Sequence, residues 1–450
     1  MRQGIMNYLQ WQFKFRKQIV GRMSSFFQSL HTSQKLSDNE QEPKLKLDYE
    51  YLCDRKNALY IDRLIKKRKN VGNIWKLLEI NDKLNTISSS TQEHEALKKQ
   101  LEREALSIPN SASPHLWEYG EEPRILEFVN PKPKFNFTPR EFSELCHTLD
   151  IIRTENLGNL TGSRSYYLKG ALADLSQALI RYTVSYLLTK GFTLMSVPDL
   201  LYAHIIEGCG MSTSGEHSQV YHIINPKEGV CLAGTAEMSL GGYLINKSLT
   251  LRELPLKLAA VSQCYRAEAS SALEERGIFR VHGFTKVEMF GVTAAESGEE
   301  SKHLYSEMTL IQKELFSRLG LHFQILDMPL SDLGAPAFTK IDMEAWMPGR
   351  GMYGEISSAS NCTDYQARRL NITYKNSEGS QRLVHTVNGT ACAIPRTLIA
   401  LCETFQSHDG TINIPAALQP YMSGKVKIEL PSPCWMKWIK QKSYPGPIKS

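Results

Sequence analysis

No Cys-x-x-Cys pair occurs anywhere in the 450 residues, although nine cysteines are present, at 53, 146, 209, 231, 264, 362, 392, 402 and 434. An odd number without paired spacing excludes a zinc ribbon and a disulfide framework, and fits reduced thiols in a reducing compartment. Cys392 and Cys402 read as small core residues. No apolar run approaches the ~20 residues that a membrane-spanning helix needs, so the chain reads as soluble, with no membrane partner. Internal repeats and low-complexity tracts are missing too. So are acidic residues before Asp38. That last gap explains the net charge of +6, because Arg2, Lys14, Arg16, Lys17, Arg22 and Lys35 stand alone in the first 37 positions. The remaining chain carries 47 residues of each sign. A basic surface spread along nucleic acid is therefore not indicated.

What is present falls into five segments. Residues 1–37 are basic, acid-free and punctuated by Phe, Leu and Ile, the composition of a mitochondrial transit peptide. This points to the mitochondrial matrix. Residues 46–109 contain little Pro or Gly. "LYIDRLIKKRKNVGNIWKLLEINDKLN" and "EHEALKKQLEREALSIPN" read as two helices joined by a polar turn, with Leu97 and Leu101 on one face. At 16 residues each they would make a short hairpin arm of about 24 Å. The basic run Lys66 to Lys69 reads as solvated helix face. Residues 110–142 form a Pro- and aromatic-containing linker. Residues 143–430 are the main domain, and 431–450 a basic tail.

In the main domain an amphipathic helix, "YLKGALADLSQALIRYTVSYLLTKGF", precedes a series of short alternating segments. In "LHFQILDM" Leu321, Phe323 and Ile325 alternate with His322 and Gln324, the period of a one-sided strand. Long helices between these segments are few. The expected class is therefore α+β, with a largely antiparallel sheet flanked by helices. Polar residues recur at the strand ends: Thr235 and Glu237 in "GTAE", Arg266 and Glu268 in "YRAE", and Glu288 on the next strand. Glu355, Ser357 and Ser358 stand in "EISS". Asn388 and Thr390 lead into a helix with Pro395 in its first turn and Arg396 just inside. Any one cluster reads as a surface pair or a cap. Five in one domain make a concave floor with anion-binding arginines and cation-binding carboxylates.

Three longer stretches resemble the signature motifs of seryl-tRNA synthetases, which are class II aminoacyl-tRNA synthetases, and look most like the animal mitochondrial ones. Residues 165–201 are similar to motif 1, the dimer-forming helix and strand, with its proline at Pro198. "CYRAEASSALEERGIFRVHGFTKVEMF" is similar to motif 2 and "HTVNGTACAIPRTLIALCETFQ" to motif 3. The resemblance spans roughly residues 46–430. It implies the class II sheet, preceded by a helical-hairpin, coiled-coil arm for tRNA; the arm here reads as clearly shorter than the family's usual long one, the largest departure from the pattern. The resemblance also implies ATP-dependent activation of serine to seryl-adenylate, transfer to the 3′ end of mitochondrial tRNA(Ser), and a homodimer or a heterodimer with a paralogue.

The resemblance further implies roles. Arg266, Glu268 and Arg396 would be catalytic. Arg266 would contact the α-phosphate, Arg276 the γ-phosphate, and Glu268 the adenine surroundings. Phe284 and Arg396 would cover the two adenine faces, with Val281, Ile356 and Ser357 completing the ATP site. Glu355 and Ser358 would hold Mg²⁺, and no zinc is expected. Thr235, Glu237, Arg266, Glu288, Asn388 and Thr390 would bind serine. His282 and His385 keep structural roles, because no protein nucleophile is required. Two positions depart from the family pattern: Gly283 stands for a common Gln, and Ala391 for a common glycine. The rival readings are a catalytically silent paralogue acting as a structural or regulatory subunit, and a carrier-protein aminoacyl ligase. The first should have lost motif residues, and the second the arm.

Overall fold

Thr339–Met347 illustrates why the central sheet forms where it does. Met343, Ala345 and Met347 point to one side and are fully buried, while Lys340, Asp342 and Glu344 alternate onto the other. A strand with one apolar and one polar face must lie between a core and a site. The computed structural model describes residues 44–68, 71–89, 91–158, 160–162, 164–215, 218–223, 229–268 and 277–430. The expected transit segment, the C-terminal tail, Lys69 and Arg276 lie outside the described residues. The described residues from Leu45 onward form one compact unit.

Eight strands build the sheet: β1 (Arg124–Val129), β2 (Thr193–Met195), β3 (Leu256–Tyr265), β4 (Gly283–Thr293), β5 (Phe323–Asp327), β6 (Thr339–Met347), β7 (Met352–Thr363) and β8 (His385–Ala393). Their spatial order is β1-β5-β6-β7-β8-β4-β3-β2. Every neighbouring pair is antiparallel except β2–β3, which is parallel. The sheet is thus mixed rather than wholly antiparallel. A long connection between β2 and β3 returns the chain to the same end of the sheet, which a parallel neighbour requires.

Helices α5 (Ala171–Thr189), α7 (Glu300–Arg318) and α9 (Ile394–Thr404) cover the apolar face, and the short α4 (Phe142–Thr148) joins the same core. Leu175, Leu179, Met308, Ile311, Leu398 and Ile399 pack there against Met289, Met343 and Val387. The other face is covered only in part, by α6 (Ala236–Tyr243) and α8 (Tyr365–Leu370) over Phe290, Val292 and Leu258. The uncovered stretch is the floor on which the polar residues stand.

The N-terminal region departs from two continuous helices. The first stretch divides into α1 (Ala58–Lys67) and α2 (Ile74–Thr86), followed by α3 (Gln92–Ser107). Two features break it. Arg68 is only 3% exposed and spends its guanidinium on backbone carbonyls of Ser111, Gly334, Ala335 and Ala337. Gly72 then turns at φ +96°, and a Cβ there would lie 2.8 Å from the Ser107 carbonyl oxygen, a place for glycine alone. Asn73 and Thr91 cap the next two helices by accepting from Lys76 N–H and His94 N–H. Ile61, Ile65, Leu77, Leu78, Leu101 and Ala105 close a small core between the three helices. Leu64 of α1 instead joins Leu326, Met328 and Leu330 of the main domain, so the arm's root is packed into it.

Candidate active site

Glu355 and Ser358 are three apart, and an uninterrupted strand would send them to opposite faces. A bulge in β7 prevents this. Ser358 pairs with Asp342 and Ser357 with Met343, but Glu355 pairs with Glu344, leaving Ile356 as the extra residue. Glu355 and Ser358 therefore share the polar face. Ile356 and Ser357 turn inward, and the Ser357 hydroxyl donates to the Thr390 carbonyl at 2.6 Å. A second bulge, at Ala391 of β8, sets Thr390 opposite Glu288 and Ala393 opposite Lys286.

Arg266 follows β3, and its guanidinium lies 5.5 Å from the Phe284 ring centroid. Glu268, only 6% exposed, adopts a left-handed backbone at φ +35° and accepts from Arg280 Nη1 at 3.3 Å. Arg164 donates to the Glu268 carbonyl. Arg396, in the first turn of α9, donates through Nε to the Phe279 carbonyl at 3.2 Å. Its Nη1 donates to both the carbonyl and the carboxylate of Glu355 at 3.1 Å. The guanidinium also lies 4.6 Å from the Phe279 ring centroid. Burial works to raise the Glu355 carboxyl, but Arg396, Lys340 and Arg266 outweigh it and hold it down to about 2. It stays an anion across the useful pH range.

The expected serine residues meet beside this group. Thr235 is not at a strand end as expected: it is the N-cap of α6, accepting from the Glu237 N–H. A threonine hydroxyl satisfies an orphan donor there, which explains the helix start. Glu237 in the first turn accepts from Gln366 at 2.6 Å and from Asn388. Burial and the neighbouring Glu288 push the Glu237 carboxyl up to about 7, against the pull of Lys286, Gln366 and Asn388. Glu288 is 3% exposed and pairs with Lys286 Nζ at 2.6 Å. Thr390 donates to the same carboxylate at 3.2 Å. His282 bonds Tyr221 and the Arg266 carbonyl, and His385 bonds Ser301, so both sit in packing networks.

A cavity of about 570 Å³, its open mouth included, joins these parts. Among the residues expected around ATP, Arg266, Glu268, Val281, Phe284, Glu355, Ile356, Ser357, Ser358 and Arg396 all line it. Thr390 lines it too, while Thr235, Glu237, Glu288 and Asn388 are not part of its lining; Glu288 is joined to it through Lys286 and Thr390. Phe279, Arg280 and Lys286 also line it, and sequence reasoning passed over them. Lys286 was findable, because alternation in "FTKVE" puts it on the face of Glu288. Gln366 was not: nothing in "DYQARR" says that one glutamine faces a carboxylate from another element.

A family model for the tRNA synthetase class II core domain (G, H, P, S and T) matches residues 221–405. The chain is 48% identical to the mitochondrial serine–tRNA ligase of Mus musculus over 346 residues, 76% of this chain and 66% of that protein. It thus spans just under two thirds of that relative. Against the serine–tRNA ligase of Treponema denticola the identity is 39% over 410 residues, covering 90% of this chain and 91% of the relative. The crystal structure of seryl-tRNA synthetase from Pyrococcus horikoshii complexed with ATP superposes with a TM-score of 0.74 at 27% identity, over 86% of this chain and all of that one. Cytoplasmic serine–tRNA ligase from Naegleria fowleri in complex with AMP gives 0.72 at 26%, over 85% and 98%. The chain belongs to the serine–tRNA ligases, a family of class II aminoacyl-tRNA synthetases.

Proposed function

We propose that this chain activates serine with ATP and transfers the seryl group to the 3′ end of mitochondrial tRNA(Ser), in the mitochondrial matrix and as a dimer. One observation carries the reading. A single cavity is lined by arginines suited to phosphates and backed by paired carboxylates suited to an ammonium. ATP and AMP in the two related crystal structures support nucleotide use.

In the first step the serine carboxylate oxygen attacks the α-phosphorus, and the bond to the β-phosphate oxygen breaks to release pyrophosphate. Arg266 holds the α-phosphate and neutralises charge that grows on its oxygens. Arg396 leaves Glu355 in part and covers the adenine, a planar cation on an aromatic face. Phe284 takes the other face. Arg280, on the cavity wall, is a second basic group within reach of phosphates. Arg276 is expected to grip the γ-phosphate. Glu237 and Glu288 take the serine ammonium, while Asn388 and Thr390 bond its hydroxyl. In the second step a terminal ribose hydroxyl attacks the carbonyl carbon, and the bond to the phosphate breaks to release AMP.

The donor set fits a hard divalent cation. Glu355 is held ionised and its side chain is 41% exposed to the cavity, Ser358 lies on the same face, and the neighbouring Asp342 has a buried oxygen without a partner. Glu355 and Ser358 would hold Mg²⁺, which would supply positive charge against the phosphates of the nucleotide.

Serine-dependent ATP–pyrophosphate exchange, with transfer of labelled serine to mitochondrial tRNA, tests the whole reading. Wild-type exchange that falls at least 100-fold in Arg266→Ala, the scale for a group acting on transition-state charge, is the expected result. A folded wild type with neither activity would sink it.

A further inference from the structure

Gln366 is 0% exposed, is not part of the cavity lining, and still makes three hydrogen bonds, one of them to a carboxylate expected to bind serine. Its Nε2 donates to Glu237 Oε1 at 2.6 Å and to the Cys209 carbonyl at 3.2 Å. Its Oε1 accepts from the Thr386 hydroxyl at 2.7 Å. The orientation of the amide is forced. The Cys209 carbonyl can only accept, so the NH₂ group must face it and Glu237 beside it, and the oxygen must face Thr386. Thr386 is itself fully buried on β8, two residues before Asn388.

We propose that Gln366 is a positioning residue for serine binding: the chain Thr386–Gln366–Glu237 aims the Glu237 carboxylate at the substrate's amino group. The proposal rests on the function argued above. Nearly every side chain facing Glu237 is of the wrong kind or already committed. Glu288 on β4 repels it, and Lys286 on β4 is taken by Glu288. Cys209 beyond the helix Ala203–Gly208 and Cys362 on β7 are thiols that burial keeps neutral. Asn388 must also serve the substrate hydroxyl in this reading. Gln366 is the donor with no second duty toward the substrate, and it is locked in place from behind.

Two consequences separate this from packing. A carboxyl already pushed up to about 7 is partly protonated near neutrality, and a neutral carboxyl cannot pair with an ammonium. Losing a donor raises it further. Serine capture should therefore weaken as pH falls through about 7 in the wild type, and from a higher pH without Gln366. ATP binding, on the other side of the cavity, should not change.

Full-length Gln366→Met, which keeps chain length and loses the amide, is compared with wild type in ATP–pyrophosphate exchange from pH 6 to 9. The expected result is a serine KM raised about tenfold, as for one lost bond to a charged group. KM for ATP should stay within twofold, and the acidic limb of kcat/KM for serine should move up by about half a unit or more. Thr386→Val frees the amide to turn and should give a smaller change of the same sign, which Thr386→Ser restores. If Gln366→Met does not fold, the Thr386 pair decides. Unchanged serine KM and pH limb overturn the proposal, as does an equal rise in both KM values with a lowered melting temperature. A wild type without serine-dependent exchange overturns the proposed function, and this inference with it.

Discussion

Gly283 and Ala391, the two departures from the family pattern, sit in different backbone settings. Gly283 opens β4 opposite Tyr265, and a Cβ there would meet only the Tyr265 ring at 3.6 and 3.7 Å, an ordinary contact. Its φ is not in the left-handed region, so glycine is not required. Gly283→Gln should therefore fold, and should gain about 0.5 kcal/mol in a chemical melt because a strand glycine costs backbone entropy. Since Gly283 is not part of the cavity lining, KM for ATP should stay within twofold. A tenfold drop in that KM would mean that the glutamine side chain reaches the nucleotide after all. Ala391 is the extra residue of the β8 bulge and keeps a negative φ, so alanine adopts it without strain. At this scale Arg266, Arg396 and the paired glutamates were legible, though Arg280 was not, because charges recurring among half-buried segments of one domain require a ligand or a partner of opposite sign. Phe279 and Gln366 were not, since each acts through a partner more than a hundred residues away in sequence.

α9 shows how an element carries a site residue that sequence can name but not aim. Arg396 stands in its first turn, and the last turn is fastened by Glu403, which is fully buried. Glu403 accepts from Phe142 N–H at 2.9 Å, Gly349 N–H at 2.8 Å and Arg350 N–H at 3.1 Å. Gly349 suits this close approach, because a Cβ would lie 2.2 Å from the Arg140 carbonyl oxygen. Glu403→Leu leaves three backbone donors, one buried and two half-buried, without their acceptor, which should cost about 3 kcal/mol and lower the melting temperature by several degrees. KM for ATP should rise with it, because the helix that aims Arg396 loses its anchor. A stability within 1 kcal/mol of wild type, read from denaturant unfolding, would refute the anchor. Strands β2 to β8 were readable as short apolar segments, but β1 was not, because Arg124–Val129 falls in the stretch expected to be a linker, 110–142. The bulge at Ile356 was not, because "EISS" gives no local sign that its alternation slips. Nor was the break between α1 and α2 read, although Gly72 marks it: the helical period on both sides concealed a turn set by the distant carbonyls that Arg68 bonds.

The sheet has two outer strands, and they are not equally suited to meet another chain. β1 exposes Ile125, Leu126 and Phe128, but its register slips between Ile125 and Glu127, and Lys313 on α7 holds Glu127 at 2.7 Å. An irregular edge carrying a paired charge is poorly matched to a partner strand. β2 at the opposite edge has a regular register with β3 and an exposed Leu194, at 45%. Leu188 near the end of α5, and Leu200 and Tyr202 just beyond β2, are each 51% exposed. Exposed apolar side chains grouped on and around one open edge are the pattern of a self-association surface. This helix and strand are also the stretch that resembles the dimer-forming motif. The chain should therefore sediment at twice its own mass at micromolar concentration. Leu194→Glu places a charge in the middle of that edge and should shift the population to monomer. Serine-dependent exchange should fall with it if the strand behind the edge, β3, needs the partner's support to hold Arg266. A wild type that is monomeric and fully active would remove the dimer from the proposal. A dimer insensitive to Leu194→Glu would move the interface to the β1 edge, where Phe128→Glu is the variant to make next.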